Sequence, residues 1–128
     1  SLDCDVPELD VPPGLPHTEQ HWIAGVLDGL EISAQYLDGE RIVMLPDART
    51  DDLIDQCSAP LDGGTQVLAL LSAVIRGESS DRRRGYPAQV DFVDEQLFAE
   101  VAPTLEAAGV RCRRVESYPK FDAVIFFL

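Results

Sequence analysis

The chain has no long hydrophobic run, no paired-cysteine pattern and very little positive charge in its first half. No apolar stretch approaches the roughly 18 residues needed to span a bilayer. The acidic, proline-bearing N-terminus does not read as a signal peptide. Cys4, Cys57 and Cys112 are odd in number and far apart, which speaks against a disulfide framework and against a CxxC zinc site. Cys57 and Cys112 sit among apolar neighbours and are expected to pack as small hydrophobes, so a reducing cytoplasm is the expected compartment. No internal repeat is present. No Ser/His/Asp or Cys/His arrangement supports a catalytic assignment, and no cofactor is expected.

What is there describes a folded domain. At 128 residues with 45% hydrophobic and 26% charged side chains, the chain is long enough to bury one real core and too apolar to be disordered. Its formal net charge of −13 is unevenly spread, with 14 acids against 2 arginines in residues 1–62 and 9 acids against 8 basic residues in 63–128. That balance makes nucleic acid and anionic membranes poor partners, because phosphates are repelled overall. Ser1-Leu2 stands where an initiator methionine would be, which predicts a piece of a larger protein with neighbouring domains.

Residues 1–16 carry Pro7, Pro12, Pro13 and Pro16 and read as an extended arm or linker, with Val6, Leu9 and Val11 able to lie against the domain of residues 17–128. Residues 17–30 fit either a helix capped by Thr18 or a strand. Gly25, Gly29 and the two turn dipeptides Asp28-Gly29 and Asp38-Gly39 favour strands, in which 21–27 meets 30–37 and Glu31–Leu37 meets Arg41–Pro46. The apolar run Ile42–Leu45 predicts a central strand. Leu53–Ala59 is expected to return as a weaker strand, with a short helix over Asp51–Cys57 as the alternative.

The second half is more regular. Val67, Leu68, Leu70, Leu71, Val74 and Ile75 fall on a helical stripe closed by Gly77. Glu78 to Gly85 is a charged loop. Ala88–Val93 is a strand, and Asp94 caps a helix whose stripe is Leu97, Phe98, Val101 and Leu105. Pro103 is expected to kink or split that helix. Gly109 stops it, and Val110–Val115 forms a strand parallel to the preceding one. Tyr118–Leu128 reads as a helix, with a buried strand over Ala123–Leu128 as the alternative; Val124–Leu128 either completes the core or forms a self-association patch. The expected fold is α+β: an antiparallel β-meander followed by αβαβ and a short terminal element, on a mixed sheet. This order is also that of ribonuclease H-like domains.

From Arg84-Gly85-Tyr86-Pro87 through Asp94, with Leu97, Val101 and Leu105, Gly109-Val110-Arg111-Cys112 and Tyr118-Pro119, the chain resembles an uncharacterised family of bacterial domains. These are found alongside plasmid Orf3-like and SEC-C-type modules. The resemblance covers residues 82–125; Trp22 and the run Ile42–Asp47 with Thr50 match more loosely. Tyr86 interrupts the family's Arg-Pro pair, and Asp51 replaces its turn glycine. The resemblance implies architecture and an accessory role beside other modules. It implies no activity.

Four constellations bear on chemistry. Arg82, Arg83 and Arg84, together with Arg111, Arg113 and Arg114, suggest a rim that docks an acidic segment of a protein partner or of a neighbouring domain, or else charges that protect an edge strand. The first reading is therefore a non-catalytic interaction or regulatory domain. The alternative is a divergent ribonuclease H-like, Mg²⁺-dependent nuclease using Asp47 and Asp91, with Asp94 as the alternative to Asp91 and an acid such as Asp122 as a further ligand, which requires carboxylates converging on metals about 4 Å apart. Local hydrogen bonding explains Asp47 in a turn and Asp94 as a cap without any metal. His17 and His21 would share a face only on a helix, and zinc needs more ligands than two. Gly63-Gly64-Thr65 offers backbone donors to an anion but lacks the lysine of a phosphate loop.

Overall fold

Apolar periodicity in the sequence is realised as regular strands and helices. The structure, a computed structural model, describes residues 8–28, 40–60, 64–79 and 82–116. Among these the elements run β1 (His21–Asp28), β2 (Glu40–Pro46), β3 (Leu53–Pro60), α1 (Gly64–Arg76), β4 (Gln89–Phe92), α2 (Glu95–Ala107) and β5 (Arg111–Arg114). The strands form one sheet in the order β3-β2-β1-β4-β5. β1, β2 and β3 pair antiparallel, whereas β4 joins β1, and β5 joins β4, in parallel. This is a mixed-sheet α+β fold with a meander followed by αβαβ.

The meander differs from the expected one in its pairing. β1 is bonded directly to β2, with Gly25 opposite Met44 and Asp28 opposite Arg41. Its other side is taken by β4. The described antiparallel partner of β1 is thus β2, over Gly25–Asp28 and Arg41–Met44, and the expected partner 30–37 lies outside the described residues. An apolar run such as Ile42–Leu45 is best used between two neighbours, and β2 has β1 and β3 on its flanks. The expected strand Glu31–Leu37 and the turn at Asp38-Gly39 lie outside the described residues, as does the C-terminal element 118–128.

Both helices contribute to one core on one face of the sheet. Trp22 and Ala24 of β1, Val43 and Leu45 of β2, and Val90 and Phe92 of β4 meet Val67, Leu71, Val74 and Ile75 of α1 and Leu97, Val101 and Leu105 of α2. Each of the larger side chains contributes about 1.5–3 kcal/mol when fully buried. α1 ends where Gly77 turns to φ 92 and its N–H bonds the Val74 carbonyl. Asp94 accepts the Leu97 N–H at 2.9 Å and starts α2. Pro103 neither splits nor ends α2, which continues to Ala107; its exposed position leaves the unbonded Ala99 carbonyl on the side facing water.

The described part of the N-terminal arm, residues 8–16, lies along α1. Leu15 is buried, and Leu9 and Val11 pack on the core. The Asp10 N–H donates to Ser72 Oγ at 2.9 Å, and Arg76 donates to the Asp10 carbonyl. The arm then joins the sheet end, where the Tyr86 N–H donates to the Pro16 carbonyl and the Thr18 N–H to the Tyr86 carbonyl, both at 2.8 Å.

Candidate functional site

Strand alternation decides what the two candidate carboxylates can do. Residues directly opposite each other on paired strands share a face, and successive residues of one strand face opposite ways. Asp47 stands opposite Trp22, which faces the helices. Asp91 stands opposite Ile23, which faces away from them. Asp47 and Asp91 therefore lie on opposite faces of the sheet and do not converge on a shared metal. No group of three or more His, Cys, Asp or Glu side chains able to hold a metal ion occurs among the described residues. Asp94 is used as the helix cap, and Asp122 lies outside the described residues.

Each carboxylate anchors its own network. At the end of β2, Asp47 Oδ1 accepts the Arg49 and Thr50 N–H groups at 2.8 and 3.3 Å. Its Oδ2 accepts Arg83 at 2.7 Å. Arg83 also donates to Gln20 Oε1 at 3.1 Å, and that oxygen accepts Trp22 Nε1 at 3.0 Å. The loop before β4 is thus tied, through one guanidinium, to the buried tryptophan and to the turn after β2.

On the opposite face Asp91, only 3% exposed, accepts three side-chain donors. His21 Nε2 lies 2.9 Å from Oδ2 and Arg113 3.0 Å from the same oxygen, while Gln89 donates to Oδ1 at 2.6 Å. The contact to Asp91 engages the histidine's Nε2, leaving Nδ1 as the ring's other nitrogen. Asp91, His21 and Arg113 come from three adjacent strands, so the cluster laces β1, β4 and β5 together.

Burial alone would raise the pKa of both carboxyls. For Asp47 the Arg83 hydrogen bond and the two backbone N–H groups outweigh it and hold the group below the ordinary aspartate value. For Asp91 the bonds from Arg113, Gln89 and His21 do the same. Both groups ionise more readily folded than unfolded, where an aspartate titrates near pH ~3.9. Their stabilisation is complete above that value and is lost as pH falls through the folded values, because the unfolded chain then binds more protons. Urea midpoints should fall from about pH 4 downward, and the fall should be smaller in Asp47→Asn/Asp91→Asn. An equal fall in the double variant would assign the acid transition to other groups.

The six arginines do not form one rim. Arg83 is held by Asp47 and Arg113 by Asp91. Arg82, Arg84 and Arg111 are exposed, and their side chains make no hydrogen bond or ion pair among the described residues. Arg114 is exposed and donates to the neighbouring Val115 carbonyl. Arg82, Arg84 and Arg111 share one end of the sheet, since β1, β4 and β5 all begin there, and the Arg111 N–H bonds the Ala88 carbonyl. Arg113 and Arg114 follow on β5, the last strand among those described, with their side chains on opposite faces.

The remaining candidates have structural roles. The chain is extended through His17 and His21, so the helical pairing needed for a zinc site is missing; His17 stacks on Tyr86 with ring centroids 4.7 Å apart. Gly64 is buried at the start of α1, where an added Cβ would lie 2.9 Å from Glu100 Oε2 of α2. That glycine serves close helix packing, and a carboxylate of the chain itself already stands beside the first turn. Burial, with Glu106 and Asp91 adding to it, pushes the Cys112 thiol up to about 12, which leaves it unreactive. Burial raises Cys57 as well.

Gln20, His21 and Gln89 carry no local pattern that marks them as members of these networks by themselves. A usable signal exists in pairs of strands. Gln89-x-Asp91 and Arg111-x-Arg113 place complementary groups two apart on successive strands, as cross-strand pairing requires. No helix among the described residues is long and apolar enough to cross a membrane. No family model, curated protein or solved structure matches the chain.

Proposed function

We propose that the chain is a non-catalytic protein-interaction or regulatory domain of a larger bacterial protein, working in the cytoplasm beside other modules. Its arginine surface at the start of β4 and along β5 docks an acidic segment of a protein partner or of a neighbouring domain. One observation carries this reading: Arg82, Arg84 and Arg111 are exposed and unpaired among the described residues in a chain of net charge −13. An acidic protein leaves no reason in bulk charge for a local excess of guanidinium groups. Such a patch steers and orients a complementary partner. The resemblance over residues 82–125 supports the accessory role, because that family occurs joined to other modules.

Titration with poly-L-glutamate at low ionic strength tests it. Binding should be measurable by calorimetry, weaken steeply with salt, and drop about tenfold or more in Arg82→Glu/Arg84→Glu/Arg111→Glu, given roughly 0.2–1 kcal/mol per exposed pair plus the reversed repulsion. None of these three side chains has an internal partner among the described residues, so the variant should melt like the parent. Absence of binding in the parent, or equal binding in the variant, would overturn the proposal.

A further inference from the structure

We infer that β5 takes an extended acidic peptide as an additional strand of the sheet; this rests on the interaction reading and gives it a geometry. Among the described strands β5 is the last of the sheet and pairs with β4 alone. The Arg111 N–H donates to the Ala88 carbonyl at 3.0 Å and the Val115 N–H to the Phe92 carbonyl at 2.9 Å. Alternate residues of a strand direct their backbone groups to the same side, so residues 111, 113 and 115 face β4. The N–H and C=O groups of Cys112 and Arg114 face outward, and no described residue bonds them. Such an edge is a template for a further strand.

The side chains select what can add. Three of the four residues of β5 are arginine, and all but Cys112 are exposed. Arg111 and Arg113 share the face away from the helices, because they stand opposite Gln89 and Asp91. Arg113 keeps 60% of its side chain exposed while holding Asp91, so its remaining N–H donors are accessible. Arg114 points to the other face. Charges alone would protect an edge from self-association, since a second β5 would bring arginine against arginine. The same charges favour a strand bearing carboxylates, which a guanidinium fork binds in bidentate fashion. A peptide strand beside β5 meets Arg111 and Arg113 with residues two apart and Arg114 with the residue next in line. The recognised segment is therefore acid–x–acid–acid in a parallel addition, or its reverse in an antiparallel one, with a small or apolar x beside Cys112.

A short blocked peptide alternating glutamate and valine, with one adjacent glutamate pair, tests this against the full chain by amide exchange in NMR. At saturation the Cys112 and Arg114 amides should exchange about tenfold more slowly or better, while those of Arg111 and Arg113, already bonded to β4, change little. Methylating alternate peptide nitrogens on the β5-facing side should abolish binding, because main-chain bonds carry the affinity. Arg111→Glu/Arg114→Glu should weaken binding about tenfold or more. If the methylated peptide binds as well as the parent, strand addition is wrong and acidic docking stands. If no acidic peptide and no poly-L-glutamate binds, both readings fail. Concentration-dependent protection of Cys112 and Arg114 without peptide would show the edge taken by a second copy and would also overturn the inference.

Discussion

Trp22→Ala should lower the unfolding free energy by about 3–5 kcal/mol, the range for truncating a large buried aromatic. Trp22 is fully buried in β1, the strand with neighbours from both halves of the fold. Its ring lies in the core shared with α1 and α2, and its N–H is bonded to Gln20. Against a typical total of about 5–15 kcal/mol, the loss leaves a marginal domain. The urea midpoint followed by circular dichroism should drop by roughly 2 M for a protein of this size. Trp22→Phe refills most of the volume and should cost distinctly less. If the two substitutions cost the same, the indole hydrogen bond rather than the packed volume is the main contribution.

Gly85→Ala should be nearly as damaging, at about 2–4 kcal/mol, from adding a left-handed backbone cost of roughly 1–2 kcal/mol to overpacking. Gly85 has φ 108, and an added Cβ would stand 2.7 Å from the Pro16 carbonyl oxygen and 3.1 Å from Thr18 Cγ2. The nearest obstruction is backbone and cannot swing away. It also falls where the Gly85 N–H bonds the Ile75 carbonyl and the Tyr86 N–H bonds Pro16, both at 2.8 Å. Displacing this crossing moves Arg83, and with it the bond to Asp47. Gly14→Ala separates the two causes: φ is 86 there, but nothing lies within 4 Å of the added carbon. It should cost about 1 kcal/mol. Equal losses at the two glycines, measured by urea denaturation, would show that the clash with Pro16 contributes nothing.

Much of the architecture is legible in the sequence. The stripe in α1, the Asp94 cap, the Gly77 and Gly109 stops and the strand–helix–strand succession from Gln89 to Arg114 are all short-range features. Each follows from interactions within a few residues, which sequence spacing records directly. The strand over 21–27 is legible for the same reason, since glycines weaken a helix locally. The pairing of β1 with Glu40–Pro46 is not legible, because two turn dipeptides describe local bends and not which strand lies next to which. The proline in α2 illustrates the converse. A local rule predicts a kink or a split there, and the helix that carries the packed stripe of Leu97, Val101 and Leu105 is not split but runs on to Ala107.

The candidate site divides along the same line. The sequence shows six arginines in two clusters, an acid-bearing strand between those clusters, and no strong catalytic signature. Tertiary structure alone decided which arginines are engaged. Register sets the face of every strand residue, and a shift of one residue would exchange the faces. That register places Asp47 with Trp22 and Asp91 with Ile23, on opposite sides of the sheet, so the two carboxylates serve two guanidinium partners instead of a common metal. Among the described strands it also places β5 last, where Arg111, Arg113 and Arg114 are exposed because strand order, which no local pattern encodes, leaves one side of β5 without a described neighbour.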